Sequence, residues 1–462
     1  MHETTASGFT QVRTTDLPVF RRDHPKYSAF YAPGFLVVVG TSCAGRLEWA
    51  LGNAPVPDLD PMSAALIRHA RHALDVRATT KTSSFEPVCL TLYLGNRCNL
   101  CCTYCYASSS RNGDAPLDWP AIRPAAQQVL ANCERRGAPM TVVFHGGGEP
   151  TLYPDLIGRV LDELEAMAGR RGVRIFRYLA TNGVLPAARA RSLARRFDTI
   201  GISCDGPERW QSMQRPTWAG RPSTPFVERT AAAVRNEGTP LHVRVTITSQ
   251  TLHHQAEITR YVCERLTPDE IHVEPLYVGG RAQPETALQP GQALAFVDGF
   301  LEARQVAAAF GVALRTSGSR ISELHGPYCN VFKDVLQLVP GGVATACFKT
   351  SDARESDARG MTIGRAHGDM LALGSRRITS LRRLLDAWPD SCSTCFNRFH
   401  CARGCPDSCP LEPQAGLSHF RCTVQLMLTQ RALDDLAEVM WNGRNSRQDI
   451  VGQEVSSLWH WD

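Results

Sequence analysis

CLTLYLGNRCNLCCTYCY, residues 89–106, is the stretch from which the rest of the chain is read. Its first half, Val88 to Leu94, is an apolar run of the length and composition of a buried strand. Gly95 and Asn96 end it, and Cys98, Cys102 and Cys105 follow in C-x3-C-x2-C spacing on the loop just past the strand. In sheets built of βα units, ligands collect at the C-terminal ends of the strands. Three thiolates on one short loop can hold three irons of a 4Fe–4S cluster and leave the fourth iron without a protein ligand. A zinc loop would use C-x2-C pairs with a fourth ligand nearby, which this loop lacks, so the spacing favours iron–sulfur over zinc. Cys101 breaks the spacing and reads as a packing residue.

Around this loop the pattern alternates. Strand-like segments at 88–94, 140–144, 173–180, 199–204, 242–248 and 271–275 are separated by helical patterns near 120–133, 154–169, 186–197, 225–237 and 254–265. Six βα repeats predict a parallel sheet with right-handed crossovers, open or curled into part of a barrel. Three further loops at expected strand ends carry polar or glycine-rich sequence: HGGGEP (145–150), Thr181-Asn182-Gly183, and SCDGP (203–207) with Arg215 after it. Glycines let a backbone approach a ligand closely, and free carbonyls there can take an ammonium group. Asp205 is read as a cap of the next turn. Glu274, before Pro275, faces the mouth of the sheet or makes a structural hydrogen bond.

The three-cysteine loop, with Tyr104 before its last cysteine, resembles the signature of the radical S-adenosylmethionine (SAM) superfamily. The resemblance implies a six-stranded partial (β/α)6 barrel. It also implies a 4Fe–4S cluster on Cys98, Cys102 and Cys105 whose open iron binds SAM. Gly147, Gly148, Glu149 and Pro150 match the motif that takes the SAM amino group. Thr181 and Asn182 fall where the family meets the ribose, and Tyr104, Ser203 and Arg215 where relatives of the anaerobic sulfatase-maturating enzymes line the SAM pocket.

Between residues 329 and 422 there are eight cysteines, among them C-x2-C-x5-C-x3-C over Cys392, Cys395, Cys401 and Cys405. Taken alone, such an array reads as a metal site, and zinc is the plain interpretation. Together with the G-x4-C relation of Gly342 to Cys347, it resembles the SPASM domain, which holds two auxiliary clusters in maturases of ribosomally made peptides and proteins. The resemblance assigns Cys392, Cys395, Cys401 and Cys422 to one cluster and Cys329, Cys347 and Cys405 to the other. A fourth cysteine expected between Asn330 and Pro340 is missing, which leaves an open iron, a non-cysteine ligand, or Cys409 in that role. The sulfatase maturases also carry an aspartate directly after the G-x4-C cysteine. Here Phe348 stands in that place, which argues against oxidation of a protein Ser or Cys.

The remaining segments frame these two fields. Residues 1–85 read as a small α/β appendage, a cap or a peptide-partner region; 86–280 as the barrel; 281–328 as a linker with one helix, Ala293 to Phe310. Residues 329–430 read as the auxiliary-cluster domain, with a hairpin from Val335 to Phe348. The last part, 431–462, reads as the end of a helix and a polar, mobile tail. A chain of 462 residues has room for two or three domains. Net charge of +5 is slight, and no basic block interleaved with aromatics points to nucleic acid. There is no apolar run of membrane-spanning length and no basic start leading into an apolar segment. Seventeen cysteines without such a segment predict metal ligation in the reducing cytoplasm rather than disulfides.

The function expected is oxidative modification of a precursor peptide, most simply an intramolecular crosslink. An electron donor such as flavodoxin or ferredoxin is the expected second partner. The alternatives are a dehydrogenase of a small metabolite or of a protein Ser or Cys, and a non-catalytic iron–sulfur electron carrier. A carrier has no use for the glycine and Thr-Asn-Gly loops.

Overall fold

The computed structural model describes residues 8–53, 59–82, 84–113, 115–276, 278–317, 321, 324, 334–386, 390–401, 420–444 and 450–455. Near the N-terminus, β1 (Thr10–Gln11), β2 (Phe20–Asp23), β3 (Tyr27–Ala32) and β4 (Phe35–Gly40) form an antiparallel meander. Aromatic and β-branched side chains favour strand in YSAFYAPGFLVVV, and Gly34, at φ 91°, makes the turn between β3 and β4. These strands are apolar on both faces because both are covered. Helices α1 (Thr41–Asn53) and α2 (Pro61–Thr82) pack on Phe30, Val37 and Val39, while Tyr31, Leu36 and Val38 join a second cluster.

The central sheet follows. Its strands are β5 (Cys89–Tyr93), β6 (Met140–His145), β7 (Ile175–Thr181), β8 (Thr199–Ser203), β9 (Leu241–Ile247), β10 (Glu270–Pro275), β11 (Ala313–Arg315), β12 (Val335–Val339), β13 (Val343–Thr345), β14 (Thr362–His367) and β15 (Met370–Leu373). The spatial order is β11-β10-β9-β8-β7-β6-β5-β12-β13-β14-β15. From β11 to β12 all pairings are parallel; β13, β14 and β15 continue antiparallel. The sheet is therefore mixed, and its six middle strands are those expected from the sequence.

Helices α3 (Trp119–Arg136), α4 (Pro154–Gly169), α5 (Ala187–Ala194), α6 (Glu208–Gln214), α7 (Thr224–Asn236) and α8 (Gln255–Leu266) connect the parallel strands. α3 shows the local logic: the Asp118 side chain caps Ala121 N, Pro120 sits in the first turn, and Gly137 closes the helix at φ 60°. Leu92, Phe144, Leu179, Ile202, Val243 and Val273 of the strands pack on Ile122, Val129, Leu164, Val227 and Val262 of the helices. Truncating one such residue, Phe144 for example, costs about 3–5 kcal/mol. The opposite sheet face carries Tyr93, His145, Tyr178, Arg244, Thr246, His272 and Glu274.

Four expectations about the flanks change. α9 (Ala293–Ala309), expected as a linker helix, belongs to the main core through Phe296, Val297 and Phe300 and leads into β11, a seventh parallel strand. The hairpin read as part of the cysteine-rich domain joins the central sheet, because β12 pairs with β5 from Val335↔Cys89 to Leu338↔Leu92. Beyond α10 (Ala353–Ala358), α11 (Ser375–Asp386) and α12 (Asp390–Ser393), helix α13 (Phe420–Gly443) covers the second face of the N-terminal sheet with Leu433, Leu436 and Met440. Finally, β16 (Ile450–Glu454) pairs with β4, so the expected tail completes a sheet begun at the other end of the chain.

Candidate active site around the three-cysteine loop

The loop leaves β5 at its C-terminal end and is tied down on two sides. Cys98 N donates to Ser110 O (2.9 Å) and Ser110 N to Asn96 O (3.1 Å), folding the loop on itself. Cys101 N donates to Pro216 O (2.9 Å) and Thr103 N to Gln214 O (3.0 Å), lashing it to the segment after α6. The Cys101 sulfur points to the carbonyls of Pro216 and Thr217, away from the other three.

Cys98, Cys102 and Cys105 are near enough for each thiolate to disfavour another. Burial pushes Cys98 up to about 11, with the charges of Glu149 and Cys105 adding to it. Cys102 is pushed up to about 12 by burial, against the pull of the Arg215 guanidinium and with Cys98 and Cys105 adding to the rise. A desolvated set of mutually repelling thiols is a donor set that a bound cation relieves. The Cys98 sulfur also accepts from Leu100 N (3.5 Å) and Asn182 Nδ2 (3.7 Å), and Cys105 meets Ser109 Oγ at 3.4 Å. Among the described residues, no group of three His, Cys, Asp or Glu is drawn in around a single-ion site. Thiolates around one zinc stand about 3.8 Å apart, whereas each cysteine of an iron–sulfur cluster binds a different iron.

The glycine loop runs against this one. Gly147 has φ 88°, and a Cβ on Gly148 would lie 2.1 Å from Arg97 O, so only glycine lets the two backbones meet. Glu149 N donates to Arg97 O (2.8 Å). The Glu149 carboxylate is buried and fully engaged: it accepts from Thr151 N (3.1 Å), Thr151 Oγ1 (2.7 Å), Thr181 Oγ1 (2.7 Å) and Asn182 N (2.8 Å). Burial raises its pKa while these four donors pull it down. Glu149 and Thr181 thus bond each other, and they hold the glycine loop and the Thr-Asn-Gly loop at a fixed separation. Pro150 starts the short helix that follows. Asn182 donates to Asn99 Oδ1 (2.7 Å), which joins its loop to the cysteine loop.

Asp205 is far more than a turn cap. It is wholly buried; Oδ1 accepts from Thr246 N (2.9 Å), and Oδ2 accepts from Gln214 Nε2 (2.8 Å), Arg215 Nε (2.9 Å) and the Tyr104 hydroxyl. The Arg215 guanidinium lies 5.2 Å from the Tyr104 ring centre. Tyr104 and Arg215 are therefore brought together through an aspartate. Ser203 ends β8 on the polar face, in register with Arg244.

That face holds residues the sequence reading left unassigned. The Tyr93 hydroxyl donates to Phe348 O (2.7 Å) and lies 3.1 Å from the Tyr106 hydroxyl. The Tyr93 and His145 rings stack at 5.8 Å, and His145 Nδ1 has no hydrogen-bond partner. Burial, with the nearby Arg244 charge, lowers His145 to about 3. Arg244 shares this face and is exposed, with Tyr178, Glu274 and Tyr106 near enough to act on its charge. Glu274 is bonded by His272 Nε2 (2.6 Å) and Ser317 N (2.7 Å), the structural alternative for this residue. Strict alternation in HVRVTI and EIHVEP was the available signal: every second residue is polar and shares a face.

The second cysteine field is described in part. Cys392, Cys395 and Cys401 lie on one short knuckle, where Cys395 N donates to Cys392 O (3.3 Å) and Cys401 N to Asn397 O (2.8 Å). The Cys401 sulfur donates to Gln425 Oε1 (2.6 Å), and Cys422 is three residues before Gln425 on α13. Burial raises Cys395 to about 11, and the Cys392 charge adds to it. The knuckle is seated on the N-terminal sheet: Phe396 stacks on Phe9 at 5.0 Å, and the Tyr31 hydroxyl bonds His400 Nε2. Cys347 is buried at the end of β13. Cys329, Cys405 and Cys409 lie outside the described residues.

Residues 92–262 match the model of the Radical SAM superfamily, and with the loop geometry above this part of the chain is a radical SAM domain. Among curated relatives, the cysteine-type anaerobic sulfatase-maturating enzyme of Clostridium perfringens is 27% identical over 174 residues, 36% of this chain and 46% of that protein. Mycofactocin maturase MftC of Mycobacterium ulcerans is 33% identical over 143 residues, 30% of this chain and 32% of that protein. The matched parts thus span about half or less of those relatives. In fold, the chain is similar to native anSMEcpe with bound AdoMet: TM-score 0.59 at 18% identity, covering 76% of this chain and 99% of that one. Among the described residues, no helix is long and apolar enough to cross a membrane.

Proposed function

We propose that this chain is a radical SAM/SPASM maturase that takes a hydrogen from a ribosomally made precursor peptide and installs an oxidative modification, an intramolecular C–C, C–N, C–O or C–S crosslink. The observation that carries this reading is the contact of three loops. The Cys98–Cys105 thiols, the Gly147–Gly148 backbone and Asn182 meet at the ends of β5, β6 and β7, beside a polar sheet face. Cys98, Cys102 and Cys105 would hold a 4Fe–4S cluster, which together with bound SAM would supply one-electron cleavage of SAM and hence hydrogen-atom abstraction.

The chain's own residues do the rest. The Gly147 and Gly148 backbone receives the SAM ammonium group, and Glu149 holds that backbone in place from behind. Asn182 orients Cys98 and faces the ribose. Ser203 and Arg215 line the SAM pocket, Arg215 being held in position by Asp205. Tyr93, Tyr106, His145 and Arg244 make up the part of that face a peptide side chain would meet. Cys392, Cys395, Cys401 and Cys422 hold one auxiliary cluster, and Cys347 with Cys329 and Cys405 the other. Such clusters would supply one-electron redox capacity for the oxidation. Phe348 contributes a carbonyl to Tyr93 and no carboxylate, which disfavours formylglycine-type maturation.

The test is co-expression with a candidate precursor peptide encoded by any short reading frame that neighbours the gene, followed by mass spectrometry of the peptide. Loss of two hydrogens with a new crosslinked fragment supports the proposal. An unchanged peptide, with SAM cleavage intact, sends the search to small metabolites.

A further inference from the structure

A cavity of about 610 Å³ opens at the surface directly beside the first cysteine of the loop, bordered by Cys98, Asn99, Val184 and the side chains discussed below. Its rim is cationic and aromatic: Arg97, Arg111 and Arg221 are exposed, and Trp218 and Phe226 are each 40% exposed. Several arginines on or beside the sheet's helices are paired, as Arg195 is with Glu237, Arg196 with Asp162, Arg235 with Asp269 and Arg265 with Glu228. Among the described residues, the three rim arginines have no carboxylate partner. Arg97 is held in place by Leu152 O (2.9 Å) and by the Tyr153 ring, which leaves its charge uncompensated.

The rim is wired to the loop. Trp218 Nε1 donates to Cys98 O (2.9 Å), so an exposed indole is one hydrogen bond from the backbone of a thiol ligand. Behind it, Arg281 lies under the Trp218 ring at 5.8 Å and donates to Cys102 O (3.0 Å) and Ser109 O (2.9 Å).

We propose that the face formed by Arg97, Arg111, Trp218, Arg221 and Phe226 is the docking site for an acidic one-electron donor protein of the flavodoxin or ferredoxin class. This rests on the radical SAM reading of the loop. Unpaired arginines around an apolar centre are complementary to an acidic surface with an exposed cofactor edge, and such complementarity governs encounter and orientation. The donor loses one electron and the site held by the three thiolates gains it; docking itself makes and breaks no bond.

The experiment uses the full-length, anaerobically reconstituted protein, a bacterial flavodoxin as probe, and the double variants R111E/R221E and R111K/R221K. By calorimetric titration, R111E/R221E binds flavodoxin about tenfold or more weakly, and the lysine variant stays within a few-fold of the parent. Parent affinity falls as salt is raised, because the Debye length shrinks to about 8 Å at physiological ionic strength; affinity of the reversed variant changes little. Flavodoxin-driven 5′-deoxyadenosine formation falls with the binding, while dithionite-driven formation is retained. Unchanged flavodoxin binding in R111E/R221E overturns the proposal. So does an equal loss with both reductants, or a loss confined to precursor-peptide affinity. A parent protein that makes no 5′-deoxyadenosine with dithionite refutes the underlying radical SAM reading instead.

Discussion

Asp205 offers the sharpest test of how the site is held. Replacing it with alanine leaves the Arg215 guanidinium buried without its counter-charge; the two now meet at 2.9 Å, with Asp205 wholly shielded from solvent. Breaking one member of a buried ion pair costs about 3–5 kcal/mol. The backbone N–H of Thr246 and the Gln214 amide lose their acceptor as well, at about 1–3 kcal/mol for each group left unsatisfied. These losses share one centre and do not add fully. The expectation is therefore destabilisation near the upper end of the single-pair range, read as a shift in the anaerobic chemical-denaturation midpoint. Removing the cation too, in Asp205→Ala/Arg215→Met, takes away the stranded charge. The double variant should then be more stable than the sum of the single changes by about 1–3 kcal/mol. A single-variant cost below about 1 kcal/mol, or strict additivity in the cycle, would refute the account of Asp205 as the central acceptor. Because Tyr104 and Arg215 both depend on it, SAM affinity should fall in Asp205→Ala and in Arg215→Met to a similar degree.

Three further outcomes follow from the same geometry. Cys98→Ala, Cys102→Ala and Cys105→Ala should each abolish 5′-deoxyadenosine formation, whereas Cys101→Ala, whose sulfur faces the Pro216 and Thr217 carbonyls, should keep most of it. Fully reconstituted protein should carry about twelve irons, and a ceiling near four would show that the second cysteine field binds no cluster. His145 has a folded pKa of about 3, below its ordinary value near 6.5, so it favours the folded state above pH 6.5 and loses that contribution as pH falls toward 3. Per proton the slope is about 1.4 kcal/mol per pH unit. His145→Asn should therefore lose less stability than the parent between about pH 6.5 and 5, and parallel denaturation curves for the two would rule the buried histidine out as a source of acid lability.

The sequence by itself determined the six middle strands, the five principal helices between them, and the position of the cysteine loop at a strand end. Each of those features is written locally, in a period of two or 3.6 residues and in the glycine or proline that ends it. The same local code carried the HGGGEP and Thr-Asn-Gly loops to the neighbouring strand ends, because parallel βα units place successive loops on one side. What local pattern cannot carry is the choice among distant partners of equal character. VLQLV at 335–339 reads equally well as a hairpin arm and as the edge neighbour of β5, and only the assembled sheet selects the second. Ile450–Glu454 reads as a tail until β4 offers an unpaired edge. Glu149 reads as a cofactor ligand, but folding surrounds its carboxylate with Thr151, Thr181 and Asn182. Asp205 reads as a turn residue, but burial forces every one of its acceptor positions onto a donor arriving from elsewhere in the chain. A buried charge must be satisfied by whatever the fold brings to it. The roles of Glu149 and Asp205 were therefore decided by tertiary structure, where desolvation makes an unpartnered carboxylate too costly to leave.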